Sequence, residues 1–141
     1  MEARTGSEGE KIKHLEFIQA VIARLGNNSF VIRGWSVTAG GALLALSVQA
    51  GKWQIAILAF FIGVGFWVLD SSYLRRERMF RLLYGDVALF IPSRVPLFSM
   101  DTQAYQSAVG WRSVLVSSSV LMVHLPIVAV DLVTASALAR Y

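Results

Sequence analysis

Residues 30–70 read FVIRGWSVTAGGALLALSVQAGKWQIAILAFFIGVGFWVLD, and their pattern decides the fold. Two apolar runs, about Phe30 to Ala50 and about Trp53 to Leu69, flank a tight turn at Gln49-Ala50-Gly51-Lys52. A helix that crosses a bilayer needs about 20 mostly apolar residues, with a range of about 17–25. The first run qualifies and the second sits at the lower limit, so an antiparallel pair of transmembrane helices is expected. A third run, about Trp111 to Leu132, supplies a third span and contains Pro126, which membrane helices tolerate but which tends to kink them. The composition agrees. Of 141 residues 55% are hydrophobic and only 16% charged, with a mean hydropathy of +0.57. Soluble domains average about 25% charged residues, and a chain this short cannot bury so much apolar surface in a water-facing core. The expected fold class is all-α, a single integral membrane domain over residues 1–141.

Toward the amino end no secretory signal is visible, because Glu2, Glu8 and Glu10 stand where a basic start and an early apolar run would be. Residues 1–8 read as a disordered tail. Residues 9–25 (GEKIKHLEFIQAVIARL) carry Ile12, Leu15, Ile18, Ile22 and Leu25 at intervals of three and four, one face of an amphipathic helix. It is too charged to span and should lie on the membrane surface or on another cytoplasmic helix. Gly26-Asn27-Asn28-Ser29 reads as a helix stop followed by a new N-cap.

Beyond the second span, residues 70–84 (DSSYLRRERMFRLLY) hold no Gly or Pro and many good helix formers. The second helix should therefore extend to Tyr84, with Gly85 as its C-cap. At 1.5 Å per residue a helix from 53 to 84 is roughly 48 Å long, more than the roughly 30 Å of hydrocarbon, so its end must stand in the cytoplasm. Residues 86–106 hold Pro92 and Pro96 and read as an interfacial loop packed on the cytoplasmic helices. Asp101 or Thr102 is placed to cap the helix that follows.

The net charge is +4, and its location matters more than its size. Lys11, Lys13, Arg24 and Arg33 precede the first span, while Arg75, Arg76, Arg78, Arg81, Arg94 and Arg112 lie between the second and third. Lys52 and Arg140 fall on the other side. The positive-inside rule then puts the amino terminus in the cytoplasm and the carboxyl terminus outside. Trp35, Trp67 and Trp111 mark the inner boundary, and Trp53 and Tyr141 the outer one. The basic cluster Arg75, Arg76, Arg78 and Arg81 has two readings. One is a site for a cytoplasmic protein or an anionic ligand such as a lipid; the other is a stop-transfer anchor with a solvated face, in which Glu77 pairs with Arg81. Nucleic acid is not an expected partner.

Two blocks, Lys11, His14-Leu15, Ile18-Gln19, Asn28-Ser29-Phe30 and Gly34-Trp35, then Phe66-Trp67, Leu69-Asp70, Tyr73-Leu74, Glu77-Arg78 and Phe80 to Tyr84, resemble an uncharacterised family of small bacterial three-span membrane proteins. Ser99-Met100-Asp101-Thr102 also fits. Arg33 stands where that family usually has Lys before Gly-Trp. The resemblance implies three helices, the cytoplasmic membrane of a bacterium and a cytoplasmic motif surface, and it brings no activity. By analogy alone, proteins of this size often serve as effectors in bacterial defence.

Three constellations carry chemistry. Arg33 and Asp70 lie at the same depth if the hairpin turns at Gly51-Lys52, and pairing spares each the cost of standing alone near the bilayer. The pair is either a structural tie or part of a proton or ion relay. Ala56, Ala59 and Gly63 share a face with Asp70, and Gly34, Thr38, Gly41 and Ala45 form a small face on the first helix, the kind that lets membrane helices approach. Ser117, His124 and Asp131 are spaced by seven, with Ser113 extending the stripe. Either His124 and the serines bond to backbone or neighbouring helices with Asp131 at the outer interface, or this face lines an oligomeric pore or meets a partner. His14 beside Glu16 reads as an exposed surface histidine. There is no Cys, no glycine-rich phosphate loop and no GxSxG motif, so no catalytic, cofactor or metal residues are assigned and a non-enzymatic protein is expected. The expected role is a homo-oligomer acting as a pore or effector gated through its cytoplasmic face. The alternative is an accessory or scaffolding subunit of a larger membrane complex.

Overall fold

A computed structural model describes residues 2–89 and 95–140, with side chains from Glu8 onward. All its regular elements are helical: α1 Glu2–Ala50, α2 Trp53–Ala88, a 3-10 turn Gln103–Tyr105, α3 Trp111–Leu115 and α4 Ser118–Leu138. Three helices, α1, α2 and α4, are long and apolar enough to cross a membrane. Gly51, at φ +64, makes the reversal between α1 and α2, a conformation that costs glycine nothing.

Register explains why α1 stays on α2 over such a length. The buried residues of α1 are His14, Ile18, Leu25, Ser29, Ser36, Gly40 and Ser47, with alternating steps of four and seven. That is an eleven-residue repeat, about 3.67 residues per turn, close to the natural 3.6 of the helix, so the face does not drift. The facing residues of α2 are Ala56, Ala59, Gly63, Asp70, Ser71, Met79, Leu83 and Val87. The third side of the bundle is α4, through Val120, His124, Asp131 and Ala135.

Several element boundaries differ from expectation. The helix does not stop at Gly26–Ser29: α1 is one helix, and it begins at Glu2, inside the stretch read as a tail. A glycine costs a helix about 1 kcal/mol, a small term beside the packing of Leu25 and Ser29 on α2. Likewise α2 runs past Gly85 to Ala88, because Val87 completes the cluster of Ile18 and Leu83, and Lys11 Nζ donates to the Ala88 carbonyl at 3.1 Å. The loop read as 86–106 is correspondingly shorter. Its residues Val95 and Tyr105 pack on that same cluster, and Asp101 accepts from the Gln103 N–H at 2.8 Å without capping a long helix. Pro92, Arg94 and Tyr141 lie outside the described residues.

The third span is not continuous from Trp111. The chain breaks at Val116 and Ser117, and Ser117 takes an extended conformation (ψ 136) ahead of α4. Two side chains of α2 occupy the break: the Trp67 indole donates to the Leu115 carbonyl at 3.1 Å, and Arg78 donates to Ser117 Oγ at 2.7 Å. Pro126 sits inside α4, and the helix continues to Leu138.

His14, read as an exposed histidine, is buried. Its Nδ1 accepts from the Phe98 N–H at 3.3 Å, so Nε2 carries the proton and donates to the Ser99 carbonyl at 2.9 Å. Phe98 is the one described non-glycine residue with positive φ, at 61, and the histidine holds that turn against the base of α1. Desolvation draws the neighbouring Lys11 ammonium below the ordinary lysine range.

Candidate functional site

Asp70 is fully buried where α1, α2 and α4 meet. A carboxylate there is tolerable only with partners for its lone pairs, and the fold supplies three. Arg33 Nε donates to Oδ2 at 2.8 Å, His124 Nε2 donates to the same oxygen at 3.1 Å, and the Ser29 hydroxyl donates to Oδ1. Ser36 Oγ lies 3.3 Å from the other nitrogen of His124. A neutral His124 that donates from Nε2 to Asp70 accepts from Ser36 at Nδ1, and Arg33 with Asp70 sums to zero charge. Trp67 lies flat against the imidazole, centroids 6.4 Å apart and planes 12° apart. Arg33 is the only partner that reaches the edge of the bundle, 27% exposed.

The centre therefore joins the two residues paired at the sequence level, Arg33 and Asp70, to one member of the serine–histidine–aspartate stripe. The stripe itself is divided. Seven-residue spacing keeps side chains on one face only along an unbroken helix, and the break at Val116 resets the phase. Ser113 is exposed and donates to the Gly110 carbonyl at 2.7 Å, and Ser117 is taken by Arg78. His124 and Asp131 remain on one face, and that face points into the bundle. Asp131 is buried against Gly63, and its Oδ2 has no hydrogen-bond partner among the described residues.

The four arginines of the basic cluster also go separate ways. Arg75 Nε donates to the Val109 carbonyl at 2.9 Å and a terminal nitrogen donates to the Gln106 carbonyl at 3.1 Å, with the guanidinium 5.1 Å above the Trp111 ring. Arg78 closes the α3–α4 break. Arg81 holds Glu77, one helical turn back, at 2.6 and 3.0 Å. Only Arg76 is exposed and makes no hydrogen bond or ion pair among the described residues.

Ser29, Ser36 and Trp67 were not singled out as members of one site. The signal for the serines is the eleven-residue spacing of the α1 face, which places both on the side toward Asp70. Trp67 reads as a belt residue from sequence alone, and only the packing of α4 turns it inward.

Asp70, His124 and Ser36 follow one another in the order of a nucleophilic triad. Such a triad needs an open serine and donors for the developing oxyanion. Ser36 is fully buried, and the amides around it belong to the interior of α1. The arrangement is a tie among three helices. Among the described residues no group of three His, Asp or Glu side chains is placed to hold a metal ion. Searches against protein-family models, curated proteins and solved structures find no match.

Proposed function

We propose that this chain is a non-enzymatic protein of the bacterial cytoplasmic membrane, amino terminus inside and carboxyl terminus outside. In this reading it acts as a homo-oligomeric effector whose helical cytoplasmic head is coupled to its membrane layer. The observation that carries the reading is the direction of the polar and small residues. Arg33, Asp70, His124 and Asp131 turn into a single protomer, while Gly34, Thr38, Gly41 and Ala45 turn out. The inward small residues of α1 are instead Ser29, which meets Asp70 on α2, Ser36 and Gly40, which face His124 and Ile127 on α4, and Ser47. A Cβ at Gly34 or Gly41 would meet nothing within 4 Å, so a second helix is free to approach there. In lipid, close approach of small residues is a main source of helix association.

Coupling follows from continuity. Both α1 and α2 run unbroken from the head into the spanning layer, so a partner that shifts the head shifts both helices, and Asp70 carries the shift to α4 through His124. The inward direction of His124 and Asp131 argues against a water path lined by these residues between copies.

Single cysteines test the reading in membranes, since the chain has none of its own. Oxidation of Gly41→Cys or Ala45→Cys should give a disulfide dimer of this chain, and Phe61→Cys, which is exposed on α2, should not. An adduct with a different protein at these positions would favour the accessory-subunit role. The absence of any self-adduct would remove the homo-oligomer.

A further inference from the structure

A cleft of about 420 Å³ opens between α2 and the connector that precedes α4. Its walls include Ser72, Arg75, Arg76, Thr102, Gln106 and Trp111. No acidic residue lines it, and of the two carboxylates next in sequence to its lining, Glu77 is held by Arg81 and Asp101 accepts from the Gln103 N–H at 2.8 Å. Two cations, Arg75 and Arg76, thus line the cleft with no ion pair to a carboxylate among the described residues. They differ in character. Arg75 is fixed by two carbonyls and the Trp111 ring, yet a guanidinium has five N–H donors and only part of the set is committed. Arg76 is exposed and makes no bond.

Depth decides what such a cleft would meet. Counting from Asp70 at 1.5 Å per residue, Ser72 lies roughly 3 Å and Arg76 roughly 9 Å further along α2. The polar headgroup region adds about 5–8 Å on each side of the hydrocarbon. Ser72 thus falls at the start of the headgroup layer and the arginines at its cytoplasmic edge. Trp111 is 43% exposed, an amphipathic ring at the same level, which is the position such rings prefer.

Resting on the membrane reading above, we propose that this cleft binds the phosphate headgroup of an anionic phospholipid from the cytoplasmic leaflet. Arg76 closes on the phosphate, Arg75 supplies a fixed charge and donors, and Thr102 lines the cleft beside Ser72, whose hydroxyl donates to the Leu69 carbonyl at 2.7 Å. Guanidinium–phosphate contact is charge-assisted and well suited to such a site. Copies of the protein would then carry their lipid at the joint between head and membrane layer, beside the break at Val116.

The test uses the full chain purified in neutral detergent and exchanged into micelles doped with phosphatidylglycerol or phosphatidylcholine, with retained lipid counted by native mass spectrometry. Phosphatidylglycerol should be retained in preference, and Arg76→Gln should lower its retention about tenfold, the scale of one charge-assisted hydrogen bond. Arg76→Lys should recover part of that loss. Arg24→Gln removes one charge from the same side, on an exposed face of α1, and should retain the lipid. Equal losses for Arg76→Gln and Arg24→Gln, or equal retention of the two lipids, would overturn the site. So would full displacement by millimolar inorganic phosphate, which would make the ligand a free anion. An alkaline carbonate wash of membranes separates this failure from the larger one. A chain that washes off takes the membrane reading and the site with it, whereas a chain that stays but shows no Arg76 dependence loses only the site.

Discussion

The head and the spanning layer of the proposed reading share the same two helices and differ in what they bury. In the head, Ile18, Leu83 and Val87 are buried among Leu15, Ile22, Phe80 and Tyr84, with His14 buried nearby, while Lys13, Glu16, Arg24 and Arg76 lie outside together with Ile12, Phe17 and Leu82. In the apolar half the inside holds Ser29, Ser36, Gly40, Ser47, Asp70, His124 and Asp131 beside Ala56, Ala59, Val120 and Ala135, and the outside is Phe30, Trp35, Phe61, Met122 and Val133. In water, burial of apolar surface drives packing. Between helices in lipid that drive vanishes, and close contact of small residues with a few polar ties replaces it. On the proposed membrane reading, this difference within one continuous pair of helices corresponds to such a change of surroundings near Arg33 and Asp70.

The largest test of this contrast is Asp70 itself. Asp70→Ala strands Arg33, Ser29 and His124 together and should cost about 3–5 kcal/mol, the range for breaking one side of a buried ion pair. Unfolding of the detergent-solubilised protein by added sodium dodecyl sulfate, followed by circular dichroism, gives the value. Exchanging Arg33 and Asp70 should restore part of it, and a double exchange no better than the single changes would break the pairing. In the head, Leu83→Ala should cost about 2–5 kcal/mol by the usual transfer and cavity terms. Its signature should be local, with faster proteolysis near residues 10–25 while the spanning layer stays protected.

Adjacent glycines give a finer comparison. A Cβ at Gly40 would meet Ile127 Cγ2 at 3.1 Å, whereas one at Gly41 would meet nothing. Gly40→Val should overpack the bundle at a cost of about 1–3 kcal/mol. Gly41→Val should leave the fold stable and instead weaken self-association in crosslinking. Smallest is His124→Leu, which removes the polar tie of α4 and should cost about 1–2 kcal/mol, since interhelical hydrogen bonds in membranes are modest.

Much of the spanning layer was legible in the sequence. The three apolar runs, the turn at Gly51 and the pairing of Arg33 with Asp70 follow from length, glycine and helical arithmetic, all local properties. What was hidden depends on other elements. The Gly26–Ser29 stretch has the composition of a stop, but packing on α2 carries the helix through. The break at Val116 has no glycine or proline to announce it; Trp67 satisfies the Leu115 carbonyl beside it and Arg78 holds the Ser117 hydroxyl. The burial of His14 depends on a connector more than eighty residues away. For the same reason the polar stripe keeps only His124 and Asp131 on one inward face, one of the two directions left open by its spacing, since periodicity says which residues share a face but not what that face meets.

The central claim is that the polar face of α4 packs against α1 and α2 of its own chain. The most direct measurement is a disulfide between Gly40→Cys and Ile127→Cys in membranes. Both cysteines in one chain should oxidise to a faster-migrating monomer, and co-expressed chains carrying one cysteine each should give no 40–127 dimer. A disulfide formed only between chains would contradict the account, because α4 would then lie on a second copy and His124 and Asp131 would line a path between subunits.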